Sequence, residues 1–96
     1  MHARVARYGI EPDRLDEALD ALREAGRELA DLEGFKGGHV LVDYDDGTLI
    51  TLTLWENRAA IDKSDVRAAS LRQRAIREVD GEVQSVTCYE VPFELG

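Results

Sequence analysis

Gly34-Phe-Lys-Gly-Gly-His-Val-Leu-Val-Asp-Tyr-Asp-Asp-Gly-Thr-Leu-Ile-Thr-Leu-Thr-Leu-Trp-Glu-Asn57 reads as two β-strands joined by a tight turn. His39 to Tyr44 is the first strand, Thr48 to Trp55 the second, and Asp45-Asp46-Gly47 lies between them. Asp-Gly is a strong hairpin signal because the turn needs positive φ. Gly34, Gly37 and Gly38 precede the first strand, where the backbone needs freedom a side chain would deny it. The hairpin ends at Trp55, the only tryptophan of the chain.

Upstream, Ala3 to Ile10 forms a strand with Val5, Tyr8 and Ile10 as β-formers. Pro12 stops it and Asp13 is placed to cap a helix reaching about Asp31. Leu15, Ala18, Leu19, Leu22, Ala25, Gly26 and Leu29 recur at helical spacing and form its inner stripe. The outer face is acidic: Glu11 to Glu33 holds nine Asp or Glu against three Arg, a local charge of −6. Downstream, Asn57 caps a short turn over residues 58–62, and Ser64 or Asp65 caps a longer helix to about Val79. Its apolar positions are Ala68, Leu71, Ala75, Ile76 and Val79. Asn57 to Val79 holds five Arg and one Lys against three acids, a local charge of +3, so facing flanks of the two helices can pair. Asp80-Gly81 ends that helix, and Glu82 to Val91 alternates as the last strand until Pro92.

The order β-α-β-β-α-β predicts an α+β, ferredoxin-like split βαββαβ fold: one domain, four antiparallel strands, two helices on one face. Right-handed crossovers put both helices on the same side and leave the other sheet face bare. The hairpin strands carry two candidate rows for that face, Ile50-Leu52-Leu54 or Leu49-Thr51-Thr53-Trp55, and neither is charged like a solvated surface. An association surface follows, closed most simply by a second copy packed sheet to sheet, with Phe93 and Leu95 of the tail reaching across.

Ninety-six residues suit one domain with a modest core. A formal charge of −8 argues against nucleic acid and anionic membrane surfaces as partners. Cys88 is alone, so no internal disulfide is available and a reducing cytoplasm is expected. No apolar run approaches the ~20 residues of a membrane span, and the N-terminus lacks the apolar region of a signal peptide.

Leu32-Glu33-Gly34-Phe35-Lys36-Gly37-Gly38, then a strand and turn, then Leu52-Thr53-Leu54-Trp55-Glu56-Asn57, resembles the antibiotic biosynthesis monooxygenase-like proteins of the dimeric α/β-barrel group. Val5-Ala6-Arg7-Tyr8 followed by Pro12 is similar to their opening segment. The resemblance spans nearly the whole chain and implies a dimeric α/β barrel. It also implies a cofactor-free oxygenase acting on an aromatic or quinone-like molecule, with no cofactor and no metal. The haem-degrading branch of that group needs an Asn on the first strand and a Trp and an iron-ligating His on the second helical segment. Val5, Ile61 and Leu71 stand at those places.

Three residues are candidates for chemistry, each with a plainer alternative. Trp55 could stack on a flat ligand and donate its N–H, or could be packing at the sheet edge or dimer seam. Arg7 could turn towards the helices and meet a phenolate or carboxylate, or could pair with an acid of the first helix or of a partner chain. Tyr8 offers a hydroxyl, as do Tyr44 and Tyr89, though strand tyrosines are commonly core bodies with wet tips. His39 has a suitable pKa for a base but no spaced partner for a triad, and reads as a surface or dimer-face residue. Cys88 reads as a small apolar strand residue, and Arg67, Arg72, Arg74 and Arg77 as a solvated helix face. The fold of the pocket decides between two functions. A closed apolar space favours a non-catalytic binding or accessory protein. An open cavity of a few hundred Å³ with converging polar groups favours an enzyme.

Overall fold

A computed structural model describes all residues, Met1–Gly96. Strand β1 (His2–Gly9) leads through a 3-10 turn, Pro12–Arg14, into α1 (Leu15–Leu29). The hairpin β2 (Phe35–Asp43) and β3 (Thr48–Trp55) follows, then α2 (Arg58–Arg77) and β4 (Glu82–Glu90). The strands form one antiparallel sheet in the order β2-β3-β1-β4. This is the expected α+β ferredoxin-like arrangement, with both helices on one face.

Several boundaries differ from the sequence reading, each for a local reason. Asp13 caps nothing: Pro12 starts a 3-10 turn with its fixed φ, and α1 begins only after Arg14, without a side-chain cap. The helix after the hairpin is one element rather than a turn plus a helix. Asn57 caps all of it by accepting from the Ala60 N–H at 2.9 Å. Ser64 instead bonds back to the Ile61 carbonyl at 2.8 Å, a mid-helix habit of serine. Strand β2 starts at Phe35, four residues before His39, with a bulge between Phe35 and Gly37 where Gly37 takes φ +126°. At the end of α2 the left-handed residue is Asp80 at φ 52°, and the Gly81 N–H reaches the Ile76 carbonyl at 3.0 Å. A Cβ at Gly81 would crowd the tip of Ile10 at 2.5 Å and the Gly9 carbonyl at 3.2 Å, so a side chain there would require Ile10 to shift.

Alternation along β1 fixes the two faces of the sheet. Arg4, Ala6 and Tyr8 point at the helices; on β3 their pairs are Thr53, Thr51 and Leu49. Leu49-Thr51-Thr53-Trp55 is therefore the covered row. The main core joins Ala6, Tyr8 and Leu49 to Leu15, Ala18 and Leu22 of α1 and to Leu71, Ala75 and Ile76 of α2. A smaller cluster of Trp55, Ala60 and Ile61 closes the other end. The open face carries Ala3, Val5 and Arg7, with Ile50, Leu52 and Leu54 beside them. Arg67 and Arg74 of α2 both grip Glu28 of α1, at 2.7 and 2.9 Å, so the oppositely charged flanks do meet.

Candidate functional site

The helices do not fill the space above the β2-β3 half of the sheet. A cavity of about 210 Å³ remains there, between α1, α2 and the covered sheet face. Its walls are largely apolar, with Leu22, Leu29, Phe35 and Leu71 among them. Gly26 of α1 also lines it, and a Cβ at that position would meet nothing within 4 Å. Polar groups come from every wall: Arg4 and Tyr8 of β1, Arg23 of α1, His39 of β2, Thr51 and Thr53 of β3, and Arg72 of α2.

Arg4 is 5% exposed and anchors the start of α2. Its Nη2 donates to the Ile61 carbonyl at 3.1 Å, to Ser64 Oγ at 3.0 Å and to Asp65 Oδ1 at 2.5 Å. A buried guanidinium needs such partners to offset its lost hydration. Its Nη1 is equally buried and finds no acceptor in the chain. Tyr8 Oη lies 3.0 Å from Thr51 Oγ1, and burial pushes the phenol above its ordinary value of 10.0, opposed by that hydrogen bond and by the charges of Arg72 and Arg4. Arg72 forms no ion pair, and its Nε is buried without an acceptor. Burial holds its guanidinium below the usual arginine range; the Tyr8 charge opposes this and the Arg4 charge adds to it.

Of the three expected residues, only Tyr8 lines this cavity. Trp55 is fully buried behind Arg4, whose guanidinium carbon sits 5.5 Å from the indole centroid. Its N–H is used on Thr53 Oγ1 at 2.9 Å, and Phe35 meets its ring edge-on at 5.4 Å. It therefore offers no free face to a ligand; the plainer expectation, packing, describes its position. Arg7 does not turn towards the helices. It is exposed on the open face, pairing in register with Ile50 and Ser85. Neighbours on a strand point opposite ways, so Arg7 and Tyr8 cannot share a pocket. His39, exposed on the edge strand, stands at the cavity rim.

Sequence reasoning missed Arg4 and Arg72, and both left a signal. Arg4 stands four residues before Tyr8 on one strand, hence on the same face. Arg72 lies four residues from both Ala68 and Ile76, on the inner stripe of α2. No group of three or more His, Cys, Asp or Glu is arranged to hold a metal ion.

The family model described as "Antibiotic biosynthesis monooxygenase" matches residues 1–79. The chain belongs to the antibiotic biosynthesis monooxygenase family. Solved structures with the same fold agree. SnoaB, a cofactor-independent oxygenase from Streptomyces nogalater, superposes with TM-score 0.77 at 16% identity, covering 98% of this chain and 95% of that one. Rv0793 from Mycobacterium tuberculosis gives TM-score 0.72 at 18% identity, covering 99% and 98%. A conserved protein from Methanosarcina mazei Go1 gives TM-score 0.72 at 17% identity, covering 92% and 89%. At these identities the likeness establishes the fold. No curated protein matches the chain.

Proposed function

We propose that this family member is a homodimeric, cofactor-independent monooxygenase-like protein that takes a small aromatic or quinone-like molecule into the cavity beneath α1. The observation that supports it is the cavity itself: an apolar pocket into which Arg4, Tyr8, Thr51 and Arg72 bring polar groups from three elements. An ionised ring substrate can itself reduce oxygen. A ring carbon gains one oxygen atom, the substrate gives up two hydrogens (both from a ring CH2, or one from a ring C–H and one from a phenol O–H), and the second oxygen atom leaves with them as water, so no outside reductant is required. The chain's part is to bind the anion, orient it and keep it from water. Tyr8 is the expected residue that can touch substrate. Trp55 would act only by holding Arg4 in place, and Arg7 has no role in this cavity.

The dimer rests on the open sheet face. Ile50, Leu52 and Leu54 of β3 form an apolar row beside Ala3 and Val5 that no helix covers, and Leu41 beyond them is 50% exposed. Phe93 and Leu95 of the tail are 72% and 91% exposed, which suits a segment that packs on a partner. No helix of the structure is long and apolar enough to cross a membrane. A reducing cytoplasm suits the single free Cys88.

Oxygen uptake with hydroxylated naphthalenes and anthrones tests the catalytic part. Uptake above the spontaneous rate, lost when Arg72 is replaced by Met, is the expected result. A second reading, a binding module without catalysis, is favoured by one observation. The Tyr8 hydroxyl is bonded to Thr51 and burial raises its pKa, which leaves His39, exposed at the rim, as the one base among the lining residues. Ligand binding with no uptake above background across the panel selects that reading.

A further inference from the structure

Two guanidinium groups at the cavity wall each keep a buried N–H without an acceptor: Nη1 of Arg4, in a side chain 5% exposed, and Nε of Arg72. Native folds rarely leave such donors unmet, because each unpaired buried polar group is costly. The fold has already committed the other Arg4 nitrogen, Nη2, to Ile61, Ser64 and Asp65. Arg72 contributes nothing to the fold by pairing: it has no carboxylate, hydroxyl or carbonyl partner. The two arginines also repel one another across the site, and burial strengthens that repulsion. No Asp or Glu lines the cavity to relieve it.

We infer that the cavity selects ligands bearing one negative charge on a ring, an aryl carboxylate or an ionised phenol, whose oxygen is held by the half-buried Arg72 guanidinium with the charge of Arg4 behind it. This rests on the reading that the cavity is the ligand site, and it deepens that reading by naming what is recognised. Asp65 is paired with Arg4, while Arg72 has no ion pair, so a single anionic group finds its match there. Leu22, Leu29 and Phe35 receive the ring body. A volume of about 210 Å³ is below the ~300–1,000 Å³ of pockets for drug-sized ligands. It therefore suits one or two fused rings.

Calorimetric titration with matched probes tests this: 2-naphthoate against 2-naphthamide for the carboxylate, and 2,4-dinitrophenolate against 2,4-dinitroanisole for the phenolate. The expected result is that at least one anion binds about tenfold or more tighter than its neutral partner, since charge-assisted hydrogen bonds are the stronger kind. Which pair discriminates tells carboxylate from phenolate. Arg72→Met should bring the preferred anion down to the affinity of its neutral partner, and Arg72→Lys should restore part of the difference. Because Arg72 pairs with nothing in the fold, the Met variant should melt no earlier than the parent. Equal affinity for anion and neutral partner in both pairs overturns the inference and leaves the cavity as a ligand site. No binding by any of the four probes overturns both. The parent protein's own selectivity decides the matter even if a variant fails to fold.

Discussion

Arg4 and Trp55 form one structural unit: the guanidinium lies over the indole at 5.5 Å, and both are buried beneath the start of α2. The indole supports the flat of the cation, while Nη2 ties β1 to Ile61, Ser64 and Asp65. The chain's only tryptophan thus stands behind the cavity wall.

Arg4→Met should cost about 2 kcal/mol in urea denaturation, the scale of losing charge-assisted hydrogen bonds to partly buried acceptors. Ser64 keeps its own bond to Ile61, which limits the loss. Asp65→Asn should cost less than about 1 kcal/mol, because Asp65 is 57% exposed and solvent screens the pair. Equal losses for the two variants would contradict this division.

Gly26→Ala should raise stability by roughly 0.5–1 kcal/mol, the helix-propensity difference at an interior position. That amounts to a rise of a few degrees in Tm for a domain of this size. The new methyl meets no atom within 4 Å, so no strain offsets the gain. Gly26→Leu should instead fill the cavity and weaken binding of 2-naphthoate at least tenfold by calorimetry.

Tyr8 links stability to alkaline pH. Its phenol is raised above 10.0 by burial, so the folded protein holds a proton that the unfolded chain releases first. The resulting stability is fully present below about pH 10 and is lost as pH climbs through the folded value. Thermal melts from pH 8 to 11.5 should show this decline. Tyr8→Phe should remove that component while costing about 1 kcal/mol at neutral pH through the orphaned Thr51 hydroxyl.

Leu52→Glu places a charge in the middle of the uncovered apolar row and should convert a dimer of twice 10.7 kDa into a monomer in sedimentation. Arg7→Glu on the same face should weaken association less, because Arg7 is already exposed and polar. A monomeric parent protein at micromolar concentration would remove the dimer from the account.

Element order, sheet topology and the pairing of helix flanks were legible because they rest on period, turn chemistry and charge. Gly47 at φ 77° closes the hairpin as Asp-Gly predicts, and Glu28 sits between Arg67 and Arg74 as opposite flanks predict. The site was less legible because it depends on phase. A shift of one residue along β1 exchanges Arg7 for a buried residue, and only the observed register shows that Arg4 goes in with Tyr8. Arg72 was hidden for a different reason. A helix rich in arginine looks solvated, and the distinction between Arg72 and Arg74 is its angle to Leu71, which composition cannot express. Trp55 was conspicuous by rarity, and it lies buried behind Arg4, outside the cavity lining.

The most direct test of the account is where a ring acid binds. In a two-dimensional amide NMR titration with 2-naphthoate, shifts should centre on Leu22 to Leu29 of α1, Gly38 to Val40 of β2 and Arg72 of α2, three of the segments that wall the cavity. Shifts confined to the open face around Val5, Leu52 and Tyr89, or none at saturating probe, would contradict it.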